Sequence, residues 1–205
     1  MSEYDDVCVL VPTYNEASTI ADVVERFRAS GFGTVLVVDG NSTDGTPGLA
    51  REAGARVVQQ SGSGKGQAVR EALTYIDAPV VLLIDGDATY RPEEADSVLE
   101  PILDGDADHV IGNRFADIQP GAMTRLNRFG NRLINGAFKR IHGKDFQDIL
   151  SGYRAFTRDS VTRFSLTADG FGIETEMSVE CVKHNVRTRV VPITRGGRTG
   201  SRTRP

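Results

Sequence analysis

The sequence predicts an α/β fold built on a mostly parallel central sheet with helices on both faces. Short, wholly apolar runs such as Val7–Val11, Val35–Val38 and Val80–Ile84 alternate with segments of helical periodicity through the first half of the chain. Strands that lack polar alternation are buried on both faces, the habit of parallel sheets. Each run also leads into a polar signature: Pro12-Thr13-Tyr14-Asn15-Glu16, then Asp39 with Asn41-Ser42-Thr43-Asp44-Gly45, then Asp85-Gly86-Asp87. Ligands of such sheets bind beyond the carboxyl ends of the strands, so the three signatures are expected along one edge.

The first strand, Val7–Val11, is followed by a helix over Ala17–Ala29 that Gly31 ends and that Asn15 or Ser18 is placed to cap. The second strand, Val35–Val38, closes on Asp39, and a short helix over Thr46–Ala53 precedes Gly54. A third strand is read at Arg56–Gln59, a helix at Gly64–Ile76 and a fourth strand at Val80–Ile84. Pro92–Leu103 is a helix with proline in its first turn, and His109–Ile111 a fifth short strand. In the second half, Gly121–Ile141 reads as a helix in which Leu126, Phe129, Leu133, Ile134 and Phe138 alternate with Arg125, Arg128, Arg132, Lys139 and Arg140. An apolar segment around Ile149–Phe156, a helix near Glu174–His184 and a last strand, Thr188–Ile193, complete the pattern.

At 205 residues the chain is long enough for one domain with a full core, read here as residues 1–194, followed by a flexible basic tail over 195–205. A net charge of −4 argues against nucleic acid as a partner, since domains that bind it carry a basic excess. Cys8 and Cys181 each lie in an apolar segment, which suits buried thiols rather than a disulfide framework. The three histidines and two cysteines are scattered singly, so no zinc spacing exists. With no signal peptide at the N-terminus and no run of about 18 apolar residues, the expectation is a cytoplasmic protein, peripheral at the cytoplasmic face of a membrane.

The chemistry starts at Asp85-Gly86-Asp87, where a buried strand delivers two carboxylates separated by one glycine. Such a turn suits a hard divalent cation, Mg²⁺ or Mn²⁺, with water and phosphate oxygens completing its shell. The cation would hold a diphosphate and stabilise its charge as it leaves. Tyr14 is placed for a base or ribose, and Glu16 for hydrogen bonds to sugar or base. Gly62-Ser63-Gly64-Lys65-Gly66 is no P-loop, because Gly66 stands where Ser or Thr is required. Lys65 at a helix N-terminus instead suits an anionic diphosphate.

In this order the motifs resemble those of the inverting family 2 glycosyltransferases with the GT-A fold. Gly112-Asn113-Arg114-Phe115, Asp148-Ile149-Leu150-Ser151-Gly152-Tyr153-Arg154 and Phe171-Gly172-Ile173-Glu174-Thr175-Glu176-Met177 resemble the dolichyl-phosphate hexosyltransferase branch more narrowly. The resemblance runs from about residue 7 to about residue 202 and is specific as a series. It implies that Pro12, Tyr14, Glu16, Asp39, Lys65 and Asp85 serve the donor nucleotide and that Asp85 and Asp87 hold the metal. It implies Arg114, Arg128, Ser151, Arg154 and Arg202 around an acceptor phosphate, with Asp87, Arg114, Asp148 and Arg154 as the catalytic set. Glu174 or Glu176 is expected near the acceptor groove. Arg198-Thr199-Gly200-Ser201-Arg202 resembles a late element of the same branch that closes over the donor. Two positions depart from the family: Gly40 stands where a second acid is usual, and Thr89 where relatives often carry Gln.

The acceptor follows from what the second half lacks. Transfer to a sugar hydroxyl needs a base, and no Glu-Asp dipeptide occurs there. A phosphate oxygen is already ionised and needs cations to hold it, a task that suits the arginine fork. The expected activity is therefore transfer of a hexose from a nucleotide-sugar (UDP-glucose or GDP-mannose type) to dolichyl or polyprenyl phosphate at a membrane surface, feeding glycoprotein or glycolipid assembly. Asp148 is expected to orient Arg154 or a sugar hydroxyl. The alternatives are a sugar-hydroxyl acceptor on the same fold and a non-catalytic nucleotide-sugar-binding partner.

Overall fold

The computed structural model describes residues 4–117 and 125–194, and for residues 116, 117 and 125–128 the backbone only. The Arg128 side chain, Arg202 and the 195–205 tail therefore lie outside the described residues. The strands are β1 (Val7–Thr13), β2 (Thr34–Asp39), β3 (Arg56–Gln59), β4 (Val80–Leu83), β5 (His109–Asp117), β6 (Arg154–Thr157) and β7 (Thr188–Thr194). The helices are α1 (Ile20–Ala29), α2 (Thr46–Glu52), α3 (Lys65–Ala72), α4 (Ala95–Leu103), α5 (Arg125–His142), α6 (Arg158–Val161) and α7 (Ile173–Lys183). A single 3₁₀ turn over Pro92–Glu94 leads into α4.

One seven-stranded sheet runs in the order β3-β2-β1-β4-β6-β5-β7. Strands β3, β2, β1 and β4 are parallel, β6 is antiparallel to both of its neighbours, and β7 is parallel to β5. Alternation along β1 explains why it is apolar throughout. Val7, Val9 and Val11 pack on one face with Ile20, Val24, Phe27 and Leu99. Cys8 and Leu10 pack on the other with Val69, Ile173 and Met177. A strand covered twice has no face left for polar residues. Both cysteines are buried and free, as read from their apolar surroundings, and burial raises each thiol to about 11.

The structure departs from the local expectations at the α1 cap and in the extent of β5. Neither Asn15 nor Ser18 caps α1; the N-cap is Thr19, whose hydroxyl donates to Glu16 O and Gly86 O instead. The apolar segment around 149–156 is loop as far as Tyr153 and joins the sheet only as β6, between β4 and β5. Strand β5 continues to Asp117 beyond its apolar start, pairing with β7 as far as Thr194. On the outer side of this region α5 is anchored by Phe138, which packs with Ile111, Phe146, Ile149 and Cys181.

Candidate active site

The ends of β1 and β2 form one bonded unit. Asp39 Oδ2 accepts the Ser42 N–H at 2.9 Å, and Ser42 Oγ accepts the Asn15 N–H at 2.8 Å. Asn15 Oδ1 accepts the Thr43 N–H, Thr46 Oγ1 accepts the Glu16 N–H, and Asp44 accepts the N–H groups of Ala17 and Thr46. Burial opposes the Asp44 charge, but these bonds outweigh it and hold its carboxyl below the usual range. Asn15 (φ 53°) and Asn41 (φ 65°) take the left-handed turns, which asparagine tolerates better than most residues. Asp39 and Pro12 are buried, and Asp39 braces the loop through its bond to the Ser42 N–H. Tyr14 is the member that faces out, at 64% exposure. Gly40 lies beneath it: a Cβ there would stand 3.4 Å from Tyr14 Cδ2 and 3.2 Å from Thr13 O. A side chain at this position would press on the Thr13 carbonyl and lie in contact with the Tyr14 ring.

The end of β4 presents the acid pair. Gly86 between them is packed so closely that a Cβ would lie 2.8 Å from Thr13 Cγ2. Asp87 Oδ1 accepts the Thr89 N–H at 3.2 Å and the Thr89 hydroxyl at 2.6 Å. Thr89 is thus spent on orienting Asp87. Among the described residues no group of three or more His, Cys, Asp or Glu could hold a metal. Two half-buried carboxylates fit a hard cation whose remaining ligands are phosphate and water oxygens.

Lys65 fills the space behind Asp85. Its ammonium donates to Asp85 Oδ1 and to Glu174 Oε1. Burial opposes the lysine charge, but the two carboxylates outweigh it and hold the ammonium protonated well above its ordinary range. The helix N-terminus at Lys65 is not open to an anion as its position suggested. Asp169 O accepts the N–H groups of Gly66 and Gln67 at 2.9 and 3.3 Å. The contact is so close that a Cβ on Gly66 would stand 2.0 Å from Ala168 O. Arg70 binds Ala168 O and Asp169, and Glu176 accepts the N–H groups of Thr167 and Ala168. Of the two acids of the 171–177 motif, Glu174 therefore joins the site and Glu176 braces the loop.

Arg114 and Asp148 form the other wall. Asp148 is fully buried and takes the Arg114 guanidinium in a two-bonded fork, with Nε and Nη2 each at 2.8 Å. Burial opposes the Arg114 charge, and the Asp148 bonds reverse that and raise it. Tyr90 Oη accepts the Gly152 N–H at 3.0 Å, and a Cβ on Gly152 would lie 2.7 Å from Asp85 Oδ2. The Arg114 wall and the acid pair are thereby neighbours. Asp148 orients Arg114, not Arg154.

Arg154 and Ser151 do not join this wall. Arg154 is fully buried; it donates to Ser151 O, Ile149 O and Ser178 Oγ and approaches His109 Nε2. Ser151 is also buried, and its Oγ accepts the Tyr153 N–H. Arginine in that place knits β6, the 149–151 loop and α7 together, with each of its three guanidinium nitrogens bonded inside the protein. The acceptor-phosphate reading is withdrawn for both residues.

A family profile described as Glycosyl transferase family 2 matches residues 8–164. The chain belongs to glycosyl transferase family 2. Within the family it is 65% identical over 191 residues to glycosyltransferase AglJ of Haloferax volcanii, covering 93% of this chain and 63% of that protein. The chain thus spans less than two thirds of that relative's length. It is 36% identical over 207 residues to a dolichyl-phosphate hexose transferase of the same organism, covering 98% of this chain and 88% of the relative. The polyprenol monophosphomannose synthase of Mycolicibacterium smegmatis is 29% identical over 205 residues, covering 91% of this chain and 76% of its own. Among solved structures, glucosyl-3-phosphoglycerate synthase from Mycobacterium tuberculosis, in complex with Mn²⁺, UDP-glucose and phosphoglyceric acid, superposes with a TM-score of 0.80 at 24% identity. That match covers 96% of this chain and 73% of the other, and it establishes the GT-A fold for this family 2 chain.

Proposed function

We propose that residues 1–194 form the catalytic domain of an inverting, metal-dependent hexosyltransferase acting on dolichyl or another polyprenyl phosphate. The donor is a nucleotide-sugar of the UDP-glucose or GDP-mannose type. The observation that carries the acceptor class is the Arg114–Asp148 fork. Asp148, buried and bonded to Arg114, is not free to remove a proton, and Glu174 is paired with Lys65. Neither acid is thus free to serve a sugar hydroxyl as base, whereas a phosphate monoester needs none. Arg114 Nη1 makes no hydrogen bond among the described residues, which suits it to a phosphate oxygen.

In the proposed reaction the acceptor oxygen attacks the anomeric carbon from the face opposite the nucleotide. The bond from that carbon to the diphosphate oxygen breaks, its electron pair leaves with the nucleoside diphosphate, and no proton is transferred. Tyr14 and Glu16 serve the nucleoside, and Lys65 faces the diphosphate. Asp85 and Asp87 would hold Mg²⁺ or Mn²⁺, which when bound neutralises the departing diphosphate. The names of two relatives, a dolichyl-phosphate hexose transferase and a polyprenol monophosphomannose synthase, support the acceptor; the Mn²⁺ and UDP-glucose held by the mycobacterial structure support the metal and donor.

Helix α5 supports a membrane surface as partner, from the cytoplasmic side. Phe129, Leu133, Ile134 and Ile141 are exposed, with exposed Arg132, Lys139 and Arg140 beside them. An apolar stripe flanked by cations suits the headgroup boundary of an anionic bilayer. No helix among the described residues is long and apolar enough to cross a membrane.

A transfer assay tests the reading. The protein is incubated with Mn²⁺ or Mg²⁺, short-chain dolichyl phosphate and labelled UDP- and GDP-hexoses. Label extracted into organic solvent, lost with EDTA and released by mild acid, is expected. Label appearing only on added sugar acceptors would replace the phosphate acceptor by a hydroxyl. Nucleotide-sugar binding without any transfer would favour a non-catalytic partner.

A further inference from the structure

The two carboxylates that share Lys65 differ in setting. The Asp85 side chain is 34% exposed at a strand end, whereas Glu174 is 6% exposed on α7. Glu174 is also fixed from behind: its carbonyl accepts the Ser178 hydroxyl at 2.9 Å, and Ser178 in turn accepts Arg154 at 3.0 Å. The lysine is held at both ends, because the amides after it are bound to Asp169 O while its ammonium, at the end of a side chain 10% exposed, lies between the two acids. One ammonium thus has a rigid, buried partner and an open one. The open partner belongs to the acid pair suited to a cation.

We propose that Glu174 is the positioning residue for Lys65, keeping its ammonium at the diphosphate when Asp85 turns to the cation. The inference rests on the reading of this edge as the donor site. With Glu174 present, the lysine keeps a carboxylate when Asp85 leaves it. Without Glu174, Asp85 is the lysine's only acid among the described residues, and lysine and cation compete for the same oxygens. A buried ammonium stays charged only while it is paired.

The experiment is calorimetric titration of the whole chain with UDP and with GDP in the presence of Mn²⁺. It compares wild type, Glu174→Gln, Glu174→Asp, Lys65→Met and the double variant Lys65→Met/Glu174→Gln. Glu174→Gln removes the charge at nearly constant shape, and Glu174→Asp keeps the charge but withdraws it by one methylene. Both are expected to weaken nucleotide binding on the order of tenfold. Lys65→Met is expected to lose at least as much, and the double variant no more than Lys65→Met alone, since Glu174 acts through the lysine. Wild-type affinity in either Glu174 variant, or losses that add in the double variant, would overturn the proposal. If the wild type binds neither nucleotide with Mn²⁺, the donor-site reading falls and this proposal with it.

Discussion

Asp148 accepts three N–H groups from Arg114: Nε and Nη2 at 2.8 Å each and the backbone amide at 3.1 Å. One buried carboxylate thereby fixes both the side chain and the main chain of the residue proposed to meet the acceptor. Lysine at 114 would keep the charge but present a single point instead of a fork. Arg114→Lys is expected to lower transfer by about 10–100-fold, consistent with the loss of a directed, bidentate contact. Asp148→Asn leaves a largely buried guanidinium without its counter-charge and should destabilise the protein by roughly 3 kcal/mol. Steady-state transfer assays and urea unfolding measure the two effects.

Arg154 should behave in the opposite sense. Its replacement by Met orphans the buried carbonyls of Ile149 and Ser151, each of which costs about 1–3 kcal/mol when unpaired. A loss of roughly 2–5 kcal/mol in urea unfolding is expected. Equal stability for Arg154→Met and wild type would return Arg154 to the acceptor site.

Gly152→Ala is a test of the wall between Arg114 and the acid pair. The new methyl would stand 2.7 Å from Asp85 Oδ2, so the carboxylate must turn away. Weaker Mn²⁺ binding, read by electron paramagnetic resonance, should accompany a melting temperature within a few degrees of wild type, since Asp85 is the end of a half-exposed side chain. Asp85→Asn and Asp87→Asn are expected to abolish transfer with the fold retained.

His109 supplies the pH dependence. Burial, and then the Arg154 charge, hold its imidazole well below the usual 6.5. Arg154 can only donate, so Nε2 is the bare nitrogen and Nδ1–H points toward Cys181 Sγ at 3.3 Å. Below 6.5 the unfolded chain takes a proton that the folded protein refuses. The stability contributed by the neutral ring is therefore complete above that pH and is lost as pH falls toward the lower folded-state value, at about 1.4 kcal/mol per pH unit. Urea unfolding at pH 7.5 and pH 5.5 should show a larger loss for wild type than for His109→Gln.

The fold was legible where it depended on burial alone. Continuous apolar runs at Val7–Val11, Val35–Val38 and Val80–Ile84 marked doubly covered strands, and the polar residues after them marked one edge, because both patterns are local. That Asp85 and Asp87 both follow β4 was legible for the same reason: one glycine separates them. Partners distant along the chain were not. Nothing in the spacing matches Lys65 to Glu174, 109 residues apart, or Arg114 to Asp148, 34 apart. The antiparallel insertion of β6 carries Arg154 into the interior, and the bonds between the first two loops enclose Asp39. The sequence by itself determined which residues are apolar, which turn, and which carry charge to the edge. Only the tertiary structure decided which charges face a ligand and which are consumed inside, since a charged group's partner is set by the three-dimensional path of the chain and by the cost of leaving that group buried alone.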